Sequence, residues 1–368
     1  MSYLLLALLG SLGIYILFVI VFLTGLKRQK PLSAELQVYP RVTIVVAARN
    51  EEHNITHLLN DFSQLDYPSD QLDIVIADDR STDNTWSIIE DYSKQYSHIR
   101  GIQIQKLSTD MMPKKYALTQ AIEQSSGEYI LSTDADCRIP RGWVKSMVGY
   151  LESGHGVVIG ASSIDSSNSS SFARYQMIDF LALVTANAGA SGWGLSWTGT
   201  GQNLAYKRSA FEKINGFQPV KNRASGDDMY LVQAISKIHK CIFNSDAGSF
   251  VKTKAVSSIL TFLNQRIRWS SNSRMAAKKD RLFLLFLFNA FFLNTVILSG
   301  SFIPVIQGYI PMVFGVKFVC DAMVIFSGAN LLQRSVPAII FIVWNFLQPI
   351  YIPIIGLMGL AGKFSWKK

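Results

Sequence analysis

Two carboxylates one residue apart, Asp134 and Asp136, follow directly on the apolar run Tyr129 to Ser132. Alternate side chains of an extended chain share a side, so the pair is expected to face one ligand together. Hard divalent cations are held by one or two carboxylates, with water and substrate phosphates completing the shell. Such an ion would neutralise a diphosphate leaving group. A polar turn is the plainer reading of two aspartates, although unpaired carboxylates this close repel each other. A second pair, Asp78 and Asp79, precedes Arg80-Ser-Thr-Asp83. Two carboxylates there can accept hydrogen bonds from a nucleobase and a ribose, while Ser81 or Asp83 caps the following helix. A third pair, Asp227 and Asp228, heads an apolar helical segment with Met229, Leu231, Val232 and Ile235. Capping needs only one of these two carboxylates, which leaves the other to take a proton from an acceptor hydroxyl as general base.

Such groups need a scaffold, and the hydrophobic pattern supplies one. The β-branched run Val42 to Ala48 is followed by Arg49-Asn-Glu51 and then by helical spacing through Ile55, Leu58, Leu59 and Phe62. The alternation recurs as strand Leu72 to Ala77 with helix Asn84 to Tyr96, strand Gly101 to Gln105 with helix Lys114 to Gln124, and strand Tyr129 to Ser132. Repeated strand–helix units predict an α/β, Rossmann-like parallel sheet with helices on both faces. Ligands of open sheets bind beyond the carboxyl ends of the strands, where Arg49 and Glu51, Asp78 and Asp79, and Asp134 and Asp136 all fall. The Ser-rich stretch Ser162 to Ser171 is expected to be a surface loop. The histidines at 53, 57, 98, 155 and 239 have no triad or ligand spacing.

Composition separates this middle from the ends. The chain of 368 residues is 49% hydrophobic and only 17% charged. The excess sits in residues 1–26, 282–316 and 335–362, which carry no charge. Four parts are expected: a transmembrane anchor at 1–26, a catalytic domain at 27–256, an amphipathic interfacial helix at 257–281, and a C-terminal transmembrane region at 282–368. Lys27, Arg28 and Lys30 follow the first apolar run, the reverse of a secretory signal, so an uncleaved anchor with a cytosolic catalytic domain is expected. The bacterial inner membrane is the expected location. That orientation removes the glycosylation-type triplets at Asn54 and Asn168 from consideration. Lys363, Lys367 and Lys368 favour a cytosolic C-terminus, hence an even number of crossings after Arg281 and one interfacial or re-entrant segment among three apolar blocks. Lys317 and Asp321, four residues apart in an apolar segment, are expected to pair.

The formal charge of +9 suits anionic headgroups or an acidic donor, and no basic run interleaved with aromatics points to nucleic acid. Cys137, Cys241 and Cys320 are too dispersed for a disulfide framework or a zinc site. In the amphipathic stretch Ser257 to Lys279, Arg268 offers a fork of donors for a diphosphate, and Trp269 a face for a sugar or a lipid headgroup. Trp193 and Trp197 flank the Gly-rich segment Gly192 to Gly201, where they either line an acceptor cleft or pack in the core.

The ordered series of motifs resembles the family 2 inverting glycosyltransferases. It comprises Ala-Ala-Arg-Asn-Glu-Glu at 47–52, Asp78-Asp79-Arg-Ser-Thr-Asp83, Lys114 before Ala117-Leu118, Asp134-Ala-Asp136, Gly199-Thr-Gly-Gln-Asn-Leu-Ala-Tyr206, Gly226-Asp227-Asp228 and Gln265-Arg-Ile-Arg-Trp269. It resembles the membrane-embedded ceramide glucosyltransferase-like and processive polysaccharide synthase members. The resemblance implies a GT-A fold and an Mg²⁺ or Mn²⁺ cofactor. It implies a nucleotide-diphosphate sugar donor, UDP-linked in the simplest case, and a lipid or lipid-linked glycan acceptor at the cytosolic membrane face. By the same resemblance Arg49, Glu51, Asp78, Asp79, Lys114, Asp134 and Arg268 contact the donor, and Asp136 with Asp134 holds the metal. Asp228 occupies the base position with Asp227 before it, and Gln265 and Trp269 serve the acceptor side. Pro113 stands where the family has a glycine before its lysine. A processive synthase that extrudes its product is the alternative, and a nucleotidyltransferase on the same sheet topology a remoter one.

Overall fold

The computed structural model describes residues 3–29, 36–165, 170–273 and 280–362. Its contacts group into two units: Gln29–Asp165 with Gly194–Lys254, and Met1–Arg28 with Ser166–Trp193 and Ala255–Lys368. The expected contiguous stretch 27–256 is therefore divided, because 166–193 groups with the apolar helices.

The first unit is built on strands β1 (Val42–Ala48), β2 (Leu72–Asp78), β3 (Ile99–Gln103) and β4 (Tyr129–Ser132), alternating with helices α2 (Ile55–Phe62), α3 (Thr85–Gln95) and α4 (Pro113–Glu123). Helix α5 (Trp143–Glu152) leads to β5 (His155–Gly160) and β6 (Ser162–Ile164). After α6 (Ser171–Ser191), which belongs to the other unit, come β7 (Leu204–Lys207), α7 (Arg208–Lys213), α8 (Asp227–Ile235), β8 (Lys240–Asn244) and β9 (Val251–Thr253). Seven strands form one sheet in the order β3-β2-β1-β4-β7-β5-β8. All pairings are parallel except those of β7, which runs antiparallel to both β4 and β5. Strands β1 and β2 are covered on both faces, which is why they read as near-continuous apolar runs. Ser162–Ile164, expected in a surface loop, instead forms β6 and pairs with β9. Its side chains are buried, so the strand pairing satisfies backbone groups that a loop would leave to water. Residues 166–169, with Asn168, lie outside the described residues.

Asn203 ties β7 to its surroundings. Its side chain is fully buried, accepts from the Trp143 indole at 2.8 Å, and donates to the carbonyls of Ala161 at 2.7 Å and Ser249 at 2.9 Å. A buried amide with its partners met is stabilising, and the same partners left unmet are costly.

The second unit contains α1 (Tyr3–Leu26), α6, α9 (Ile259–Ser271), α10 (Arg281–Gly300), α11 (Ile310–Leu331) and α12 (Ala338–Ala361). Among the described residues four helices are long and apolar enough to cross a membrane: α1, α10, α11 with its preceding turn, and α12. One of the last three was expected to be interfacial or re-entrant, and each is long enough to cross, since 20 to 25 residues at 1.5 Å each reach across a hydrocarbon core of about 30 Å. The lysines at 363, 367 and 368, on which that expectation rested, lie outside the described residues.

Packing in this unit uses small residues and polar ties. A Cβ added to Gly25 of α1 would stand 1.8 Å from the Gly189 carbonyl oxygen of α6, and one added to Gly328 of α11 would stand 1.7 Å from Thr185 Oγ1. Close backbone approach of this kind is how helices associate where lipid removes the hydrophobic drive. The expected pair is present: Lys317 Nζ donates to Asp321 Oδ2 at 2.6 Å. Asn345 donates to the same oxygen at 2.7 Å, and the Tyr15 hydroxyl donates to Asp321 Oδ1, so α1, α11 and α12 meet at one carboxylate.

Replacing Asn203 with Ala strands the Trp143 indole N–H and the Ser249 carbonyl in the core, while the Ala161 carbonyl keeps the Val251 N–H, and is expected to destabilise the protein by about 2 kcal/mol or more. Thermal unfolding in detergent checks this, and an unchanged midpoint would contradict it.

Candidate active site

The carboxyl ends of β2, β1 and β4 lie side by side, with Ala48 opposite Asp78 and Val45 opposite Ser132. Adjacent strands are about 4.8 Å apart, so residues just past these ends form one row. Two loops in that row are laced together. The Asn50 N–H donates to Ser81 Oγ at 3.0 Å, the Glu51 N–H to Thr85 Oγ1 at 2.8 Å, and the Thr82 N–H to Asn50 Oδ1 at 2.9 Å. Asn50 and Arg80 hold the left-handed backbone that these tight turns require, at φ of 53° and 56°. Asn84, not Ser81 or Asp83, is the N-cap of α3, and Asp83 before it accepts from the Thr85 N–H at 3.0 Å.

Asp79 is engaged by Arg80, whose Nη2 lies 2.7 Å from Oδ1. Asp78 is fully buried at the end of β2, and its Oδ1 has no hydrogen-bond partner among the described residues. Burial pushes its carboxyl above the ordinary carboxylate range. Arg49 is exposed just beyond β1, and Glu51 accepts from the Asn54 side chain at 2.7 Å.

Asp134 and Asp136 do not share a side by extended alternation, as the spacing predicts. Strand β4 ends at Ser132, and a turn closed by the Cys137 N–H to the Asp134 carbonyl at 3.1 Å carries both residues. The turn still leaves them electrostatically coupled. Burial, then repulsion from Asp134 and Glu51, pushes Asp136 up to about 6. Lys114, second residue of α4 behind Pro113, donates to Asp134 Oδ1 at 2.7 Å. Proline suits the first helical position because no intrahelical acceptor awaits its missing N–H. Burial lowers the Lys114 ammonium, but Asp134, Asp227 and Asp228 outweigh it and hold the group above its ordinary value.

Gly226, at φ 87°, starts α8 and brings Asp227 and Asp228 to the same cluster. Asp228 Oδ1 accepts from the Met229 N–H at 2.7 Å, and Oδ2 from the Gly201 N–H at 3.1 Å. Burial and the neighbouring Asp227 push Asp228 up to about 6 in spite of these bonds. Lys115, which the motif reading passed over, is buried and lies 3.6 Å from Asp227.

A divalent cation fits this chemistry. Among the described residues no three His, Cys, Asp or Glu side chains form a ready metal cage. A hard cation completed by substrate phosphates needs only one or two carboxylates, and Asp136 is a buried acid held in excess negative charge.

The remaining expected residues separate. Trp197 is 2% exposed and packed in the α/β unit, where its carbonyl accepts from Gln233 at 2.8 Å, so packing, not a cleft wall, accounts for it. Trp193 belongs to the helical unit and donates to the Val21 carbonyl at 3.0 Å, with the Arg28 guanidinium over its ring at 4.0 Å. Gln265, Arg268 and Trp269 lie on α9 of that same unit. The expected segment's residues 274–279 lie outside the described residues. Arg266, a residue the motif reading left unassigned, organises this stretch. It donates to Asp179 of α6 at 2.6 Å and to Gln265 Oε1 at 2.7 Å, and its guanidinium lies 4.2 Å from the Trp269 ring. No charge spacing in the sequence links residues 179 and 266, so only the fold reveals the pair.

Residues 43–215 match the model of Glycosyl transferase family 2. The chain carries a glycosyl transferase family 2 domain. That match spans the row at β1, β2 and β4 and stops short of Asp227 and Asp228. The chain is 32% identical over 115 residues to a beta-monoglucosyldiacylglycerol synthase of Synechocystis sp., covering 31% of this chain and 24% of that protein. A beta-monoglucosyldiacylglycerol synthase of Trichormus variabilis is 24% identical over 348 residues, 88% of this chain and 71% of that protein. The chain thus spans about a quarter of the first relative and most of the second. Among solved structures, a mannosyltransferase from Pyrobaculum calidifontis in complex with GDP-Man and Mn²⁺ superposes with a TM-score of 0.64 at 19% identity, covering 95% of this chain and 97% of that one. The likeness shows that the family 2 domain has the GT-A fold.

If a cation and a nucleoside diphosphate share the row at Asp136, Mn²⁺ with UDP or GDP will raise the thermal midpoint of the purified protein. The Asp136→Ala variant will lose that rise while remaining folded. A variant that keeps the full rise would contradict the assignment of Asp136.

Proposed function

We propose that the protein is an inverting glycosyltransferase that moves a sugar from a nucleotide-diphosphate donor to a lipid acceptor at the cytosolic face of a bacterial inner membrane. The observation that carries this reading is the convergence on Lys114. That ammonium is bonded to Asp134 on the donor side and feels the charge of Asp227 and Asp228 on the other. Carboxylates for the nucleoside, a cation for the diphosphate and a base for the acceptor thus occupy one cluster.

In this reading the unpartnered Asp78 oxygen accepts from the nucleobase, and Arg49, Glu51 and Asp79 complete the nucleoside edge. Mg²⁺ or Mn²⁺, held by Asp136 with Asp134, would supply positive charge to the departing diphosphate. Lys114 adds a fixed ammonium beside the same phosphates. Asp228 takes the proton of the acceptor hydroxyl as that oxygen bonds to the anomeric carbon. The bond from that carbon to the diphosphate oxygen breaks, and its electron pair leaves on the nucleoside diphosphate. One displacement inverts the anomeric configuration. A carboxyl near 6 is a good base at neutral pH, being ionised yet more basic than an ordinary aspartate.

A lipid acceptor is supported by the relatives named as monoglucosyldiacylglycerol synthases and by the four apolar helices. Extrusion of a polymer would need a polar conduit through the bilayer. Between Leu282 and Gly362 the charged residues are Lys317, Asp321 and Arg334, and the first two are committed to each other.

The test is turnover of purified protein in lipid vesicles with a panel of nucleotide sugars. Release of nucleoside diphosphate together with a single-sugar glycolipid of inverted configuration is the expected product. A high polymer inside the vesicles, or retained configuration by NMR, would defeat the reading. Asp228→Asn should keep donor binding and lose about 10²- to 10⁴-fold in turnover. In the wild type kcat/KM should fall as pH drops below about 6, because Asp228 then carries the proton it must accept.

A further inference from the structure

We propose that Lys115 is a positioning residue that commits Asp227 to an ion pair and thereby makes Asp228 the base. The inference rests on the proposed reading of the Asp227–Asp228 pair and deepens it. Two adjacent aspartates at a helix head are chemically equivalent by sequence, so something in the fold must make them differ. Consecutive lysines at the start of α4 do so, by pointing at different carboxylates.

Lys114 is about one third exposed and reaches Asp134. Lys115 is 1% exposed, its Nζ donating to the Arg223 carbonyl at 2.6 Å and lying 3.6 Å from Asp227 Oδ1. An ammonium buried to this degree needs a counter-ion, and Asp227, whose side chain is 15% exposed, supplies it. An aspartate held by a buried cation is a weaker base, because its proton affinity falls with each favourable charge. Asp228 accepts from two backbone N–H groups and, among the described residues, shares no such short ion pair. Across the pair it faces the carboxylate of Asp227. The charged and titratable groups acting on the two aspartates are Lys114 and Lys115 from α4 and, on Asp227, Tyr206 from β7. Like charges one residue apart, with only one of them neutralised by contact, push the two proton affinities apart, which separates a spectator carboxylate from a working one.

The geometry also separates positioning from substrate contact. Lys115 is sealed from solvent, so it acts on the reaction only through Asp227 and the field at Asp228. Its removal must therefore change the pH at which the base titrates, whereas a group that merely supports the fold would lower turnover equally at every pH.

The experiment is the pH dependence of kcat/KM for full-length protein in lipid vesicles, compared for wild type, Lys115→Met, Asp227→Asn and the double variant, with thermal midpoints measured alongside. Lys115→Met is expected to move the acid limb up by half a pH unit or more, since both carboxylates lose a cation and share one proton. Asp227→Asn is expected to move it down, because Asp228 then loses the like charge beside it. In the Asp227→Asn background, adding Lys115→Met should produce less than half the shift it produces alone. Limbs that stay in place in both single variants, with turnover reduced evenly across pH, would overturn the proposal. So would activity that survives Asp228→Asn and vanishes with Asp227→Asn. If Lys115→Met does not fold, Lys115→Gln, which removes the charge but keeps a donor for the Arg223 carbonyl, is read in its place. A wild-type protein that releases no nucleoside diphosphate from any donor would overturn the transferase reading and this inference with it, whereas active protein with unmoved limbs would overturn this inference alone.

Discussion

Excess negative charge in poorly solvated space is the constraint around which the α/β unit is organised. Glu51, Asp134, Asp136, Asp227 and Asp228 converge, and two consecutive lysines on α4 stand against them. Each ionised carboxylate raises the cost of ionising the next, and burial adds to it. The arrangement is tolerable where strands end and backbone N–H groups become available, because those groups can share the charge. Gly201 and Met229 do this for Asp228, and Ser81 for Asp78. A core made of such residues would be unstable. At the rim of an apolar sheet the cost is carried by the packing beneath, and the residual deficit of positive charge is what a cation and a basic side chain of the site can relieve.

The sheet beneath explains how much of the site was legible in the sequence. Strands β1, β2 and β4 announce themselves as apolar runs since both faces are covered, and a polar cluster after such a run has one place to go. Arg49, Glu51, Asp78, Asp79, Asp134 and Asp136 were therefore locatable from pattern alone. The local conformation was not. Extended alternation was the natural inference for Asp134 and Asp136, but the hydrogen bond from the Cys137 N–H to the Asp134 carbonyl bends that segment into a turn. Strand β6 was hidden for a related reason. Serine is frequent in loops, and its burial in a two-stranded pairing depends on β9, almost ninety residues later.

Long-range polar contacts were the least legible part. The spacing of Lys317 and Asp321 is a helical one, and so their pair could be read directly. Asp179 and Arg266 have no such relation, and Asn203 looks like any other residue of a Gly-rich segment until the indole of Trp143 arrives at its oxygen. Lys115 was overshadowed by Lys114 because helical neighbours in sequence point in different directions, and a motif names only one of them. Tryptophans 193 and 197 illustrate the converse. Adjacency in sequence made them a pair, while the fold assigns them to separate units with separate packing partners.

The helical unit obeys a different rule from the sheet. Apolar surface gains little from burial when the alternative is a lipid tail, so contact must come from close backbone approach and from polar groups that find no partner in hydrocarbon. Gly25, Gly189 and Gly328 supply the first, and the carboxylates of Asp179 and Asp321 supply the second. Each carboxylate gathers donors from more than one helix: Arg266 of α9 and Trp344 of α12 on Asp179, Lys317 of α11, Asn345 of α12 and Tyr15 of α1 on Asp321. Helix α6 falls under this rule although it lies within the span matched by the family 2 model. Its small residues and its single aspartate are better explained by the neighbours it meets there than by its modest apolarity. Charge is thus used in opposite senses in the two units. In the helical unit Asp179 and Asp321 are engaged by named donors and hold helices together, while Asp78 and Asp136 at the strand ends and Asp228 at the head of α8 remain under-compensated and ready for a ligand.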